Sequence, residues 1–316
     1  MTLFNRGTLP DAFGDRVERL RGDRTTADFE RLLAGRSFDW AVDFAAYDGN
    51  DGRRAVKVLA GRVGHYVVIS TGQVYLVRED CPRPARESDY GGPVMPEPSD
   101  PFDKGQWDYG VKKRALDDAL AEAWEKSRFP ATRLRIPMVN GERDHFRRLE
   151  RYLWRMLDGG PVLLPDGGDR VTRHVYSGSV VKAILALLGR ADTHGQAYNL
   201  AQDETPTLHD LLRLVAARLG APDRLVDVPA EHVRAAGLDP LLLSPFSGTW
   251  MSFLDPARAR EELGFRHEPL GSYLDKIVTT FLAHPPAEAP PGYDRRGAEL
   301  ELVRQAQARD GGPDCR

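Results

Sequence analysis

The chain has 316 residues, 41% of them hydrophobic and 29% charged, enough for one large domain or two smaller ones. A net charge of −3 and a pI near 6.3 leave no basic footprint for nucleic acid. Cys81 and Cys315 are too few and too far apart for a disulfide framework or a zinc site, no apolar run reaches membrane-spanning length, and MTLFNRGTLPDAFGDR contains no apolar signal region. The expectation is a soluble, reducing, cytoplasmic protein.

In chain order, Thr2–Asn5 and Val17–Leu20 are short strand candidates, ended by Arg6-Gly7 and Gly22-Asp23. Asp28–Leu33 reads as a helix, Trp40–Ala46 as a buried strand, Arg53–Leu59 as a helix and Tyr66–Ser70 as a near-continuous apolar strand. Strands alternating with helices point to an α/β fold with a parallel sheet. Val77 to Trp107 is rich in Pro, Gly and acid without a period, so it reads as a long functional or disordered loop. Helical pattern resumes at Tyr109 and runs to about Lys126. Thr132–Val139 is the next strand, Phe146–Leu157 an amphipathic helix, Pro161–Leu164 a strand, Val180–Leu188 an apolar helix and Ala197–Leu200 a strand. Thr207 with Asp210 caps a helix over Leu208–Leu219 that Gly220 ends, and Asp255-Pro256 starts another that ends near Gly264. The tail after Pro285 reads as a surface wrap or frayed end.

Tyr109 and Lys113 stand four residues apart, so a phenol and an ammonium share one helix face. An ammonium beside a phenol favours phenolate and lowers the Tyr pKa, which makes a general acid/base for a hydroxyl proton. Lys112 points about 100° away and receives no role. His145, His174 and His209 lack metal-ligand spacing.

In this order the motifs resemble the NAD-dependent epimerase/dehydratase family, an extended or atypical branch of the short-chain dehydrogenases/reductases. The matching residues are Asn5-Arg6-Gly7, Gly22-Asp23, Asp43-Phe44-Ala45-Ala46, Ser70-Thr71-Gly72-Gln73-Val74-Tyr75, Tyr109 with Lys113, Arg135-Ile136-Pro137, Tyr198-Asn199-Leu200 and Glu262-Leu263-Gly264-Phe265. The resemblance implies a Rossmann-like doubly wound parallel sheet over residues 1–139 and about 174–200. A smaller C-terminal α/β substrate lobe would use residues 140–173 and 201–284, followed by a tail over residues 285–316.

It also implies roles. Thr71 orients the substrate oxygen, Tyr109 exchanges its proton, and Lys113 holds the nicotinamide ribose. Asn5, Arg6, Asp23, Ala45 and Ala46 line the dinucleotide. Arg6 replaces the acid that binds a ribose 2′-hydroxyl and suits a 2′-phosphate, so NADP is expected over NAD, with NAD open. Phe44 stands where the family often has His. Gly72-Gln73 replaces the Asp-Glu pair of the dehydratases, and neither shuttles a proton as a carboxylic acid does, which argues against dehydration. Arg173 and Asn140 are the substrate-side candidates, although Asn140 replaces a usual Tyr and Ser179 a usual Asp.

The family's opening strand and Gly-x-x-Gly-x-x-Gly turn have no counterpart, since Gly61-Arg-Val-Gly64 precedes a strand. In the order 3-2-1-4-5-6 the absent strand is central, and unpaired buried backbone groups cost about 1–3 kcal/mol each. The expectation is that Met1 is a late start within a longer protein; the rival is a true truncated paralogue. The function expected is an NAD(P)-dependent oxidoreductase or epimerase acting on a secondary alcohol or ketone, with a sugar or nucleotide sugar among the options. The alternative is a catalytically silent binding protein for a small molecule or RNA. A small-molecule substrate, no membrane and no nucleic acid are expected, and a homodimer stays open.

Overall fold

A computed structural model describes residues 1–310. Cys315 lies outside the described residues. The elements in order are β1 (Thr2–Asn5), β2 (Glu18–Arg21), α1 (Asp28–Leu33), β3 (Phe38–Asp43), α2 (Gly49–Leu59), β4 (Val63–Thr71), α3 (Gln73–Leu76), α4 (Pro101–Ser127), β5 (Ala131–Ile136), β6 (Val139–Asn140) and α5 (Arg148–Leu157). They continue with β7 (Val162–Pro165), β8 (Val175–Tyr176), α6 (Ser177–Leu187), β9 (Ala197–Asn199), α7 (Leu208–Leu219), β10 (Leu225–Val228), α8 (Ala230–Ala235), α9 (Pro240–Leu243), α10 (Ala257–Leu263), α11 (Leu270–Ala283) and α12 (Arg296–Asp310).

The chain divides into two units. The first holds Met1–Cys81, Glu87–Arg135 and Ile184–Asn199. Its main sheet has the order β3-β4-β5-β9, with β3 parallel to β4 and β5 parallel to β9. β1 and β2 form their own parallel ribbon, Phe4 opposite Leu20. Among the described residues β1 pairs only with β2, and β3 only with β4. Leu20, Phe29, Leu33, Val58, Tyr66, Leu116 and Phe129 pack as one core beneath these strands, under α1, α2 and α4. This is the mixed α/β, Rossmann-like architecture that the alternation of strands and helices indicates.

The second unit holds Pro82–Arg86, Ile136–Ala183 and Leu200 onward. It contains the parallel pairs β7–β10 and β6–β8. Leu149, Tyr152, Leu211, Phe246, Tyr273 and Ile277 make its main core, while Leu163, Val228, Leu302 and Val303 make a smaller one. The capping box at Thr207 and Asp210 starts α7 as the sequence indicates.

Among the departures from the sequence expectation, three have plain physical reasons. β3 ends at Asp43, not Ala46, because the Asp43 carboxylate accepts the N–H groups of Ala45 (2.9 Å) and Ala46 (2.8 Å) and turns the chain. α4 begins at Pro101, eight residues before Tyr109, because Asp100 caps it by accepting from Phe102 N and Asp103 N, with Pro101 in the first turn. The tail is not a frayed wrap: residues 296–310 are helical, and the carboxylate of Glu299, fully buried, pairs with the buried Arg155 at 2.8 Å. Among the described residues, no helix is long and apolar enough to cross a membrane.

Candidate active site

β4 delivers Thr71 at its C-terminal end, and α4 delivers Tyr109 and Lys113 from one face, a turn apart. Gly110 sets how closely α4 can approach: a Cβ there would meet Val77 Cγ1 at 2.5 Å and the Gln73 carbonyl at 3.0 Å. Only glycine lets α4 lie this near α3. A buried polar cluster then ties α4 to the sheet. Arg135 of β5 pairs with Asp117 of α4 at 2.8 Å and donates to the Tyr75 hydroxyl at 2.8 Å, which in turn donates to Asn199 at 2.9 Å. Burial pushes the Tyr75 phenol up to about 12, so it stays a donor.

The Pro-rich segment after Val77 is held rather than loose. Met95 N donates to the Val77 carbonyl at 2.8 Å, and the Trp107 indole N–H to Met95 O at 2.9 Å. The Tyr90 ring lies beneath two guanidiniums, Arg114 at 4.2 Å and Arg135 at 4.0 Å.

Thr71 and Tyr109 are brought together: the Thr71 hydroxyl lies near enough to the phenol to favour its anion. Thr71 Oγ1 also accepts from Gln73 N at 3.2 Å. Burial raises the Tyr109 phenol above its ordinary value, the Thr71 hydrogen bond opposes this, and the neighbouring Tyr47 adds to it. The sequence expectation that Lys113 lowers the Tyr109 pKa is therefore corrected. The ammonium of Lys113, 6% exposed, donates instead to the carbonyls of Ala46 (2.7 Å), in the turn after β3, and Ile69 (3.0 Å), near the end of β4. Burial lowers the Lys113 pKa, opposed by the charges of Asp117, Asp43 and Asp51.

The small pair Ala45-Ala46 follows Asp43 in the turn after β3; Ala45 is exposed and Ala46 buried. Burial disfavours the Asp43 anion, but Arg24 Nη1 at 2.7 Å and the Tyr66 hydroxyl at 2.6 Å hold its carboxyl below the usual range. Arg24 did not stand out in the sequence, because its contact with Asp43 spans 19 residues.

Asn5, Arg6 and Asp23 lie at the C-terminal ends of β1 and β2. Asn5 Oδ1 accepts from Gly7 N at 3.0 Å and from the Arg21 guanidinium. Asp23 accepts from Thr25 N at 2.8 Å and the Thr25 hydroxyl at 2.7 Å; these bonds lower its pKa, with a smaller contribution from the Arg6 charge. The Arg6 side chain is exposed. Gln73 is buried and its amide donates to the Gln106 side chain at 3.1 Å, so this position, acidic in the dehydratases, is spent on α4.

Arg173 and Asn140 belong to the second unit. Arg173 donates to the Leu254 carbonyl at 2.8 Å and lies 4.5 Å over the Phe253 ring. Asn140 is 2% exposed and its amide faces His174 Nδ1 at 3.0 Å and the Tyr273 hydroxyl at 3.5 Å. His209 lies between Asp169 (3.1 Å) and Asp227 (2.9 Å). Among the described residues no three His, Cys, Asp or Glu side chains could hold a metal ion. One neighbour of the phenol was missed in the sequence: Tyr47, whose ring centroid is 5.6 Å from that of Tyr109. Its signal was present, an aromatic residue between the small pair and the N-cap Asp48.

Comparison with known proteins adds to this geometry. A family model described as NAD dependent epimerase/dehydratase family matches residues 32–201. A curated relative, the chloroplast stem-loop binding protein of 41 kDa b of Arabidopsis thaliana, is 21% identical over 237 residues, 71% of this chain. The chain spans 57% of that relative's length. Among solved structures, UDP-glucose 4-epimerase of Thermotoga maritima with UDP-glucose is similar, with a TM-score of 0.69 and 18% identity over 89% of this chain and 90% of that one. So is dTDP-glucose 4,6-dehydratase of Streptomyces venezuelae with NAD and TYD, with a TM-score of 0.68 and 18% identity over 90% of this chain and 87% of that one.

Proposed function

Because the chain belongs to the NAD dependent epimerase/dehydratase family, we propose that it is an NAD(P)-dependent oxidoreductase or epimerase of a secondary alcohol or ketone, with Tyr109 as its acid/base. The observation that carries this is the meeting of Thr71 and Tyr109, from two different elements, where the Thr71 hydroxyl favours the phenolate, with Lys113 one turn away on the same helix face. One similar solved structure, the dTDP-glucose 4,6-dehydratase of Streptomyces venezuelae, holds NAD.

The donors present fit part of such a dinucleotide. Lys113 gives two of its three N–H bonds to carbonyls and keeps one for a ribose hydroxyl. Ala45 and Ala46 are small enough for close approach, and Asn5, Arg6 and Asp23 would hold the adenosine end. Arg6, exposed and cationic, favours a 2′-phosphate and hence NADP. Among the described residues no glycine-rich strand–turn–helix offers a seat for the diphosphate. When bound, the nicotinamide supplies the hydride acceptor or donor.

The protein's own part is proton handling. A partly buried phenol with a raised pKa is protonated at neutral pH, which suits giving its proton to a carbonyl oxygen as that oxygen gains charge. Thr71, beside the phenol, can donate its hydroxyl proton to the same oxygen. Gly72 and Gln73 supply no second acid for an elimination, so reduction or epimerisation is favoured over dehydration. The test is a nicotinamide-fluorescence titration followed by hydride transfer with UDP-glucose and simple ketones. NADPH is expected to bind more tightly than NADH, and Tyr109→Phe to keep binding while losing about 10²-fold or more in turnover. Full turnover by Tyr109→Phe would refute the assignment.

A second reading draws on the stem-loop binding relative: a catalytically silent binding protein. The net charge of −3 weighs against RNA as its ligand. Absence of NADPH binding alongside retention of a stem-loop RNA at moderate salt would favour it.

A further inference from the structure

We propose that Asp117 is a positioning residue of this site: its buried carboxylate, one helical turn beyond Lys113, keeps the Lys113 amine an ammonium, with an N–H ready for the cofactor's ribose. This rests on the reading of Lys113 as a cofactor-binding residue and states what that reading requires of the protein around it.

Lys113 stands where an ammonium is costly. It is buried, and its two hydrogen bonds, to the carbonyls of Ala46 and Ile69, engage neutral dipoles rather than an anion. Burial therefore favours the neutral amine. The charges that act on it come from the elements packed around it: Asp117 of α4, Asp43 at the end of β3, Arg24 after β2 and Asp51 of α2. Asp43 and Asp51 both engage Arg24, at 2.7 Å and 3.2 Å, and the Arg24 charge opposes theirs at Lys113. Asp43 also accepts from the Tyr66 hydroxyl at 2.6 Å. Asp117 is the carboxylate that shares the helix of Lys113.

Asp117 follows Lys113 by four residues in α4, so the two side chains lie on one face, and both are buried. The Asp117 carboxylate is held without being saturated. Its Oδ2 accepts from Arg135 Nε at 2.8 Å, while its Oδ1, also buried, meets no hydrogen-bond donor among the described residues. The nearby Arg133 guanidinium turns to carbonyls instead, those of Asp117 at 3.1 Å and Gly195 at 2.6 Å. A buried anion with an unengaged oxygen depends on neighbouring positive charge, and the ammonium one turn back supplies it. With little water between them, the two charges couple strongly. Arg135, itself bonded to the Tyr75 hydroxyl at 2.8 Å, keeps the carboxylate from swinging away. Tyr109, Lys113 and Asp117 thus occupy successive turns of one helix face, as proton donor, ribose holder and charge partner.

The experiment reads Lys113 directly, with no cofactor present. In full-length protein carrying lysine labelled with carbon-13 at Cε, NMR follows the Lys113 signal, assigned by its loss in Lys113→Arg, from about pH 7 to about pH 11. Asp117→Asn keeps an oxygen for Arg135 and removes the charge, so the Lys113 titration is expected to move to lower pH than in the native protein. Asp117→Glu restores the charge and brings the titration back toward the native position. Should Asp117→Asn not fold by circular dichroism, Arg135→Gln makes the converse comparison: it leaves the carboxylate unopposed and moves the titration upward. A merely structural role for the pair predicts no such opposite movements. An unmoved titration in folded Asp117→Asn, or one that fails to rise in Arg135→Gln, overturns the proposal. NADPH fluorescence titrations then separate it from the reading on which it rests. Asp117→Asn is expected to bind NADPH about threefold more weakly than native protein at alkaline pH and equally at neutral pH. Lys113 titrations that move as stated in protein that binds no NADPH at any pH would sink the cofactor reading and leave Asp117 standing; NADPH binding with an unmoved titration does the reverse.

Discussion

At the scale of single residues, the arrangement of Tyr109 sets a proton-transfer direction. Its phenol is raised by burial and eased back by Thr71. Carbonyl reduction should therefore hold steady through neutral pH, with an alkaline limb above the ordinary phenol value of 10.0. Thr71→Ser should keep that limb in place, while Thr71→Ala should move it further upward, because the hydrogen bond that favours the anion is lost. A pH–rate profile of the three proteins measures this; a limb that moves downward in Thr71→Ala contradicts the assignment. Lys113 shows why residue roles are only partly legible in sequence. Its spacing from Tyr109 was visible, but its two carbonyl partners, in the turn after β3 and near the end of β4, are 67 and 44 residues away in the chain.

At the scale of elements, helix α4 is the part on which the site depends. Its approach to α3 passes over Gly110, so Gly110→Ala should cost about 1–3 kcal/mol through overpacking and displace Tyr109. Urea denaturation and turnover together report both effects. Stability equal to that of the native protein would show that Val77 and the Gln73 carbonyl yield freely. The existence and type of most elements could be read from apolar runs and caps: α1 and α7 fall where the pattern places them. Boundaries set by side chains acting on backbone were harder. Asp43 ends β3 with its own carboxylate, and Asp100-Pro101 starts α4 inside a stretch whose Pro and acid content read as loop. α12 was hidden because its burial depends on a pair, Arg155 with Glu299, that no local pattern reveals.

At the scale of the whole molecule, each unit carries a neutral buried histidine. Burial lowers His65 in the first unit to about 4 and His174 in the second to about 3. Both folded values lie below the unfolded value of 6.5. The unfolded chain thus binds more protons, and stability is lost as pH falls from the unfolded value toward the folded ones. Each group contributes a slope of about 1.4 kcal/mol per pH unit within its window. Denaturant midpoints between pH 7 and pH 4 should fall accordingly, and a His174→Gln variant should flatten the acid slope; an unchanged slope would show that His174 does not contribute.

The ribbon of β1 and β2 has two strands of four residues each, and a two-stranded pair alone is marginal in water. Its amide protons should trade with solvent deuterium well before those of β4, which is flanked by strands on both sides. Exchange followed by mass spectrometry would then show the first piece of the molecule to open as the one that carries Asn5, Arg6 and Asp23. A ligand that settles there would be seen first as a slowing of that clock.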